Sequence, residues 1–323
     1  MSTPPFRGVL RAALLALLLA AAASPALAQQ RMQGRVVLGG APVAGVPVTL
    51  HRVTSDSSGP VGTGSTAADG SFTLTLPPAD TAAGFSVFFA TAEFRGVRYF
   101  GPPLHPGDAG TGYAVEVFDT ASASRTPGAV QVSRRDVIVL PEEDGSAEVN
   151  EIVRIRNSGK AALVVGSGAS TWEFRLPKGV VAFEVGDGQI APDAVVRKGE
   201  RVLVTATLPP GEQELFVRYR LARGTTRTEL PVTAATDSMS LFLRQPAPEA
   251  RVDGLAAPVA VQAEGDSFLR YNGAGLGPRS SVVLEWDNPG VPPVDPRWAA
   301  GAVTALVLAA GAGLALRRRP RPA

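Results

Sequence analysis

The sequence predicts an all-β protein: tandem antiparallel β-sandwich domains followed by a C-terminal transmembrane helix. Three observations carry that expectation. Apolar and polar residues alternate over many short runs, which is the signature of half-buried strands. The 28 Pro and 35 Gly spread through 323 residues leave little room for long helices. Two long apolar runs lie near the ends of the chain, and the roughly 270 residues between them suffice for two cores.

Residues 1–28 read as a secretory signal peptide. Arg7 and Arg11 precede an apolar run from Ala12 to Ala23, and Ser24-Pro25-Ala26-Leu27-Ala28 ends in an A-x-A cleavage site. Cleavage is expected after Ala28.

Residues 29–125 read as the first sandwich. Val46, Val48 and Leu50 alternate with Pro47, Thr49 and His51, and Phe72, Leu74 and Leu76 alternate with Ser71, Thr73 and Thr75. Phe85-Val87-Phe89 and Tyr113-Val115-Val117 continue the alternation. Gly39-Gly40 and Asp69-Gly70 supply turns. Asp69 reads as the turn residue its side chain favours, and His51 and His105 as surface residues. The segment from Phe94 to Pro103 combines aromatics and arginines beside turn formers. Phe94, Arg95, Arg98, Tyr99 and Phe100 are therefore a candidate contact surface, with core packing expected for at least two of the aromatics.

Three stretches of this module, Gly34-Arg35-Val36, Ala41 to Leu50 (APVAGVPVTL) and Thr66 to Phe72 (TAADGSF), resemble the carboxypeptidase regulatory-like module. That family is a small transthyretin-like β-sandwich, also grouped with starch-binding-like folds. Its common Pro-Gly-x-Tyr ending is replaced here by Pro77-Pro78-Ala79-Asp80. The resemblance implies a non-catalytic binding or spacing unit.

Residues 126–288 read as a second β-sandwich region, with Pro246 to Pro248 a candidate boundary inside it. Leu215, Val217, Tyr219 and Leu221 alternate with Phe216, Arg218 and Arg220, Val282, Leu284 and Trp286 alternate with Val283, Glu285 and Asp287, and Val153 and Ile155 alternate with Arg154 and Arg156 before the Asn157-Ser158-Gly159 turn. The acidic run Glu142-Glu143-Asp144-Gly145 reads as a solvated hairpin, because adjacent carboxylates in a turn point apart. Trp286 lies on a core phase and Trp298 at a membrane interface, leaving Trp172 as a candidate free aromatic platform.

Residues 289–297 form a Pro-rich linker. The apolar segment 298–316 is long enough to span a bilayer, and the basic tail 317–323 carries Arg317-Arg318-Arg319, which places the tail inside and the body outside. Gly301, Ala305, Ala309 and Gly313 recur every four residues, a ridge of small side chains suited to self-association within the membrane.

The formal net charge is +2, but six of the 31 basic residues lie in the two ends, which hold no acid. The body keeps 25 basic against 29 acidic residues, net −4, and no dense basic cluster, so nucleic acid is not an expected partner. Zero Cys excludes disulfides, thiol nucleophiles and Cys-ligated metals, and two His supply no zinc-protease helix motif. Neither a Gly-x-Ser-x-Gly elbow nor a phosphate-binding loop is present. The expected function is a non-enzymatic binding or scaffolding role for a bacterial protein of the cytoplasmic membrane, with its body periplasmic or at the cell surface and no cofactor or metal. Its partners would be the lipid bilayer and an extracytoplasmic protein or glycan; a carbohydrate-binding surface protein is the alternative.

Overall fold

The computed structural model describes residues 30–77, 86–105, 112–166, 170–247, 249–263 and 265–287. The signal peptide, the linker, the span 298–316 with its ridge at Gly301, Ala305, Ala309 and Gly313, and the basic tail lie outside the described residues. Among the described residues no helix is long and apolar enough to cross a membrane. The chain divides into two compact units, Met1–Asp119 and Thr120–Ala323.

The first unit contains β1 (Arg31–Leu38), β2 (Ala41–Pro42), β3 (Pro47–Thr54), β4 (Ser58–Ser65), β5 (Ser71–Thr75), β6 (Ser86–Phe94), β7 (Val97–Phe100) and β8 (Tyr113–Val117). One sheet has the order β4-β3-β6-β7. The other is centred on β1, with β5 and β2 sharing one edge and β8 running parallel along the other. Met32, Val36, Phe72, Leu74, Val115 and Val117 from one sheet, and Val48, Leu50, Phe88, Ala90 and Tyr99 from the other, are buried. Each large apolar side chain so buried contributes roughly 1.5–3 kcal/mol.

Local chemistry explains several of these elements. Asp69 Oδ1 accepts hydrogen bonds from the Ser71 amide at 3.0 Å and the Ser71 hydroxyl at 2.6 Å, so the Asp69-Gly70 turn is held from within. Gly34 lies in β1 where a Cβ would meet the Phe72 ring at 2.5 Å, and its missing side chain is what admits that ring. The Tyr113 hydroxyl donates to Pro102 O at 2.7 Å and accepts from the Ala90 amide at 2.9 Å, tying β8 to β6.

The second unit begins with β9 (Thr120–Ser122), β10 (Val130–Pro141), β11 (Ala147–Asn157), β12 (Ala162–Val164), β13 (Trp172–Arg175) and β14 (Val180–Val185). It continues with β15 (Val195–Lys198), β16 (Arg201–Val204), β17 (Gly211–Leu221), β18 (Arg227–Pro231) and β19 (Thr236–Arg244). Last come β20 (Ala250–Asp253), β21 (Val259–Ala263), β22 (Asp266–Leu276) and β23 (Ser281–Trp286). A seven-stranded sheet, β14-β17-β11-β10-β19-β22-β21, is joined by two three-stranded sheets, β13-β16-β15 and β18-β23-β20, and by the pair β12-β9. A single buried cluster draws on all of them: Val149, Leu215, Tyr219 and Leu241 from the large sheet, Trp172, Phe174 and Val204 from one small sheet, Leu230, Leu284 and Trp286 from the other, and Leu163 from β12. Residues 120–122 belong here, inside the expected first domain, because they pair with 162–164.

The strands are not uniformly antiparallel. The pairs β1/β8, β9/β12 and β10/β19 run parallel, since the long connections between them let the chain return in the same direction. A bulge between Val132 and Arg134 also shifts the buried phase of β10: Val130 and Val132 face the core before it, and Arg135, Val137 and Val139 after it. The Asn157 side chain donates to Ala161 O and Leu208 O, both at 2.9 Å, and accepts from the Gly159 amide, so the predicted turn is anchored in the core.

Candidate functional site

Among the described residues of the first unit, the outer face of the β4-β3-β6-β7 sheet carries the most exposed aromatic side chain, Phe100. Alternation along β6 places Phe88, Ala90 and Ala92 inward and Phe89 on the outer face; Thr91 shares the outer phase but is only 2% exposed. Cross-strand register sets His51 opposite Phe89, Thr91 opposite Phe100 and Glu93 opposite Arg98. The His51 ring stacks on Phe89 with centroids 5.0 Å apart and planes at 5°, and Phe89 meets Phe100 at 6.0 Å. Phe100 is 67% exposed.

Polar groups frame this row of rings. His51 Nε2 and the Thr91 hydroxyl are hydrogen-bonded at 3.1 Å, and Arg98 Nη2 donates to Glu93 Oε1 at 2.8 Å. Burial, and secondarily the nearby Arg98 charge, lower the His51 pKa from its usual 6.5. The imidazole is therefore neutral at pH 7 and adds a third uncharged ring. The arrangement supplies a surface of three rings, with Phe100 tilted 38° to Phe89, and a guanidinium and a carboxylate at its margin, the composition of a contact patch.

Not all of the five residues from 94 to 100 share this face. Phe100 and Arg98 do. Tyr99 is a core residue, 5% exposed, whose hydroxyl donates to Phe118 O at 3.0 Å, and half-buried Phe94 lies on the same inward phase. These two rings meet the expectation that at least two of the aromatics pack inward, and neither belongs to the contact surface. Arg95 sits in the hairpin turn with Gly96, both at positive φ (51° and 75°), as a two-residue turn of this hand requires. Its Nε lies 3.1 Å from Asp119 Oδ1 and its guanidinium 5.3 Å from the Phe94 ring. The sequence reading makes His51 a surface residue and sets Phe89 on a buried phase with Val87; the structure buries Phe88 instead and turns Phe89 to the outer face. The adjacent pair Phe88-Phe89 was the available signal, because one of two neighbouring strand residues must face away from the core.

In the second unit Trp172 is not a free platform. It is 8% exposed and stacked on Phe174 at 5.3 Å, because β13 packs its ring into the common core. One edge of it lines a cleft of about 340 Å³ together with Gln131, Thr171 and Glu173. The acidic hairpin is ion-paired: Glu142 with Arg220 at 2.7 Å and Asp144 with Arg223 at 2.7 Å. Hydrogen bonds from the Ser146 hydroxyl and amide, then Arg223, lower the Asp144 pKa to about 2.

Among the described residues, a buried polar cluster is formed by Arg135, Glu151 and Tyr219, on three adjacent strands. Arg135 donates to Glu151 from Nε and Nη2 and to Pro231 O from Nη1, and the Tyr219 hydroxyl donates to Glu151 Oε1 at 2.6 Å. Every member is satisfied and enclosed, which suits a structural brace rather than a reacting centre. Among the described residues no group of three His, Cys, Asp or Glu side chains is placed to hold a metal ion.

No family model and no curated protein matches this chain. Among solved structures it is similar to a putative protease of Parabacteroides distasonis (10% identity, TM-score 0.32, covering 49% of this chain and 41% of that one). A zinc metallopeptidase of Deinococcus radiodurans gives 10% identity, TM-score 0.30 and coverage of 49% and 42%. The major pilin subunit of Bacillus cereus gives 11% identity, TM-score 0.16 and coverage of 80% and 85%. The chain spans less than half the length of the two peptidase chains, and at these scores the likenesses carry no inference about activity.

Proposed function

We propose that this is an exported, membrane-anchored protein with a non-enzymatic binding or scaffolding role, and that the outer face of the β4-β3-β6-β7 sheet is its contact surface. The observation that carries the reading is Phe100: a large apolar ring, 67% exposed, continuing the His51–Phe89 stack and flanked by Arg98. Aromatics and Arg are the residue types that dominate interface energetics, and a ring left in water is one that a partner gains by covering. The resemblance of residues 34–72 to carboxypeptidase regulatory-like modules supports the same reading. The leader at 1–28 and the span at 298–316 support export and anchoring.

The test is site-specific photo-crosslinking of the full chain in its native envelope. A photoreactive phenylalanine analogue at position 100 should give an adduct of discrete mass, whereas the same group at Val196, exposed in the second unit, should not. Absence of any adduct specific to position 100 would overturn the proposal. A glycan array decides the carbohydrate alternative, which predicts binding that Phe100→Ala abolishes. Protease added outside the cytoplasmic membrane should digest the body and spare a tag fused after Ala323; a protected body refutes the orientation.

A further inference from the structure

The two edges of the seven-stranded sheet are treated differently. At one edge, β14 carries a bulge between Val180 and Ala182, contains Glu184, and is covered by Arg197, which donates to Val180 O at 2.9 Å and lies 5.8 Å from the Phe183 centroid. Bulges, charges and covering side chains are the usual means of stopping an edge from pairing. At the other edge, β21 has none of these. Its sequence is Val-Ala-Val-Gln-Ala, without charge or proline, and it runs in unbroken register against β22 from Val259↔Arg270 to Ala263↔Asp266. Val259 is 55% exposed, Ala260, Gln262 and Ala263 are exposed as well, and among the described residues no strand pairs with the outer edge.

A regular edge strand presents a row of amide and carbonyl groups that an added strand can satisfy. The sequence of β21 favours one occupant. An antiparallel copy centred on Val261 sets Val261 against itself, Ala260 against Gln262 and Val259 against Ala263, so no charge meets its like. The strands behind reinforce this choice. Arg270 stands beside Val259 and Asp266 beside Ala263, so the antiparallel arrangement puts Arg270 of one copy in the row of Asp266 of the other. A parallel, in-register copy would align Arg270 with Arg270. We infer that the outer edge of β21 is a strand-addition site for β21 of a second copy of this chain, joining two seven-stranded sheets about a twofold axis at Val261.

The absence of Cys makes the test clean. Directly opposed residues of an antiparallel pair have Cα atoms about 4.5–5.5 Å apart, within disulfide reach. Residues offset by four positions are about 14 Å apart and out of reach. Under mild oxidation of the purified full chain, Val261→Cys should therefore form covalent dimers at least tenfold faster than Val259→Cys alone. A mixture of Val259→Cys and Ala263→Cys chains should link to each other. Val261→Lys, a change at a half-exposed position, should abolish the sedimenting dimer while the chain still unfolds in a cooperative transition whose midpoint no longer depends on protein concentration. No linking at position 261, as when another segment or protein occupies the edge, overturns the inference. So does equal linking at 259 and 261, the pattern expected if pairing came from the membrane span, and so does a dimer that survives Val261→Lys.

Discussion

Arg135 grips Glu151 through two hydrogen bonds of 2.9 and 3.0 Å, with side chains only 7% and 0% exposed. Breaking such a pair strands a buried charge, whereas replacing the whole cluster removes the charges together. Glu151→Gln or Arg135→Met alone should each cost about 3–5 kcal/mol in equilibrium urea unfolding. The triple variant Arg135→Met, Glu151→Leu, Tyr219→Phe should cost far less than either single change. Additive losses would show that the charges are not coupled.

All four tyrosines, Tyr99, Tyr113, Tyr219 and Tyr271, have pKa values raised above the usual 10, with burial the leading cause in each. For Tyr219 the Glu151 carboxylate adds to the rise. The folded chain thus holds these protons where the unfolded chain releases them. The associated stability is complete below pH 10 and is lost as pH rises beyond it. Phenolate absorbance should show every tyrosine titrating above pH 10 in the native chain and near pH 10 in urea. Native titration at pH 10 would contradict the burial.

His51 is one of only two histidines, so its ring protons are readily assigned by NMR. Its midpoint should fall below 6.5. Arg98→Gln should raise it but leave it below 6.5, because burial is the larger cause. The unfolded chain takes up this proton first as pH falls, so acidification through the 6.5 region removes stability.

Neighbouring residues on β7 should respond in opposite ways. Phe100→Ala should change unfolding stability by no more than about 0.5 kcal/mol, since the ring is mostly in water. Tyr99→Ala should cost about 3–5 kcal/mol, because it empties a core position and removes the bond to Phe118 O. Thermal melts of the two variants distinguish a contact face from a second core layer.

The local features of this protein were legible in its sequence. The Asp69-Gly70 and Asn157-Ser158-Gly159 turns could be read because their determining hydrogen bonds reach only two residues along the chain. The buried phases of β8, β17 and β23 could be read because the opposite phase of each carries charged residues, Glu116, Arg218 with Arg220, and Glu285. Tertiary structure decided the rest. Phe88 and Phe89 make both phases of β6 apolar, and only the pairing of His51 with Phe89 shows which ring faces out and what it stacks on. Arg135 points inward because a bulge in β10 shifts the phase after Val132, and its partners lie on β11 and β18, up to 96 residues away. Trp172 is core because β13 and β16 pack onto a sheet whose other strands lie far off in sequence. Alternation has a period of two and reports only that a strand has two faces; which face meets the core is set by contacts between distant segments, and no local pattern encodes them.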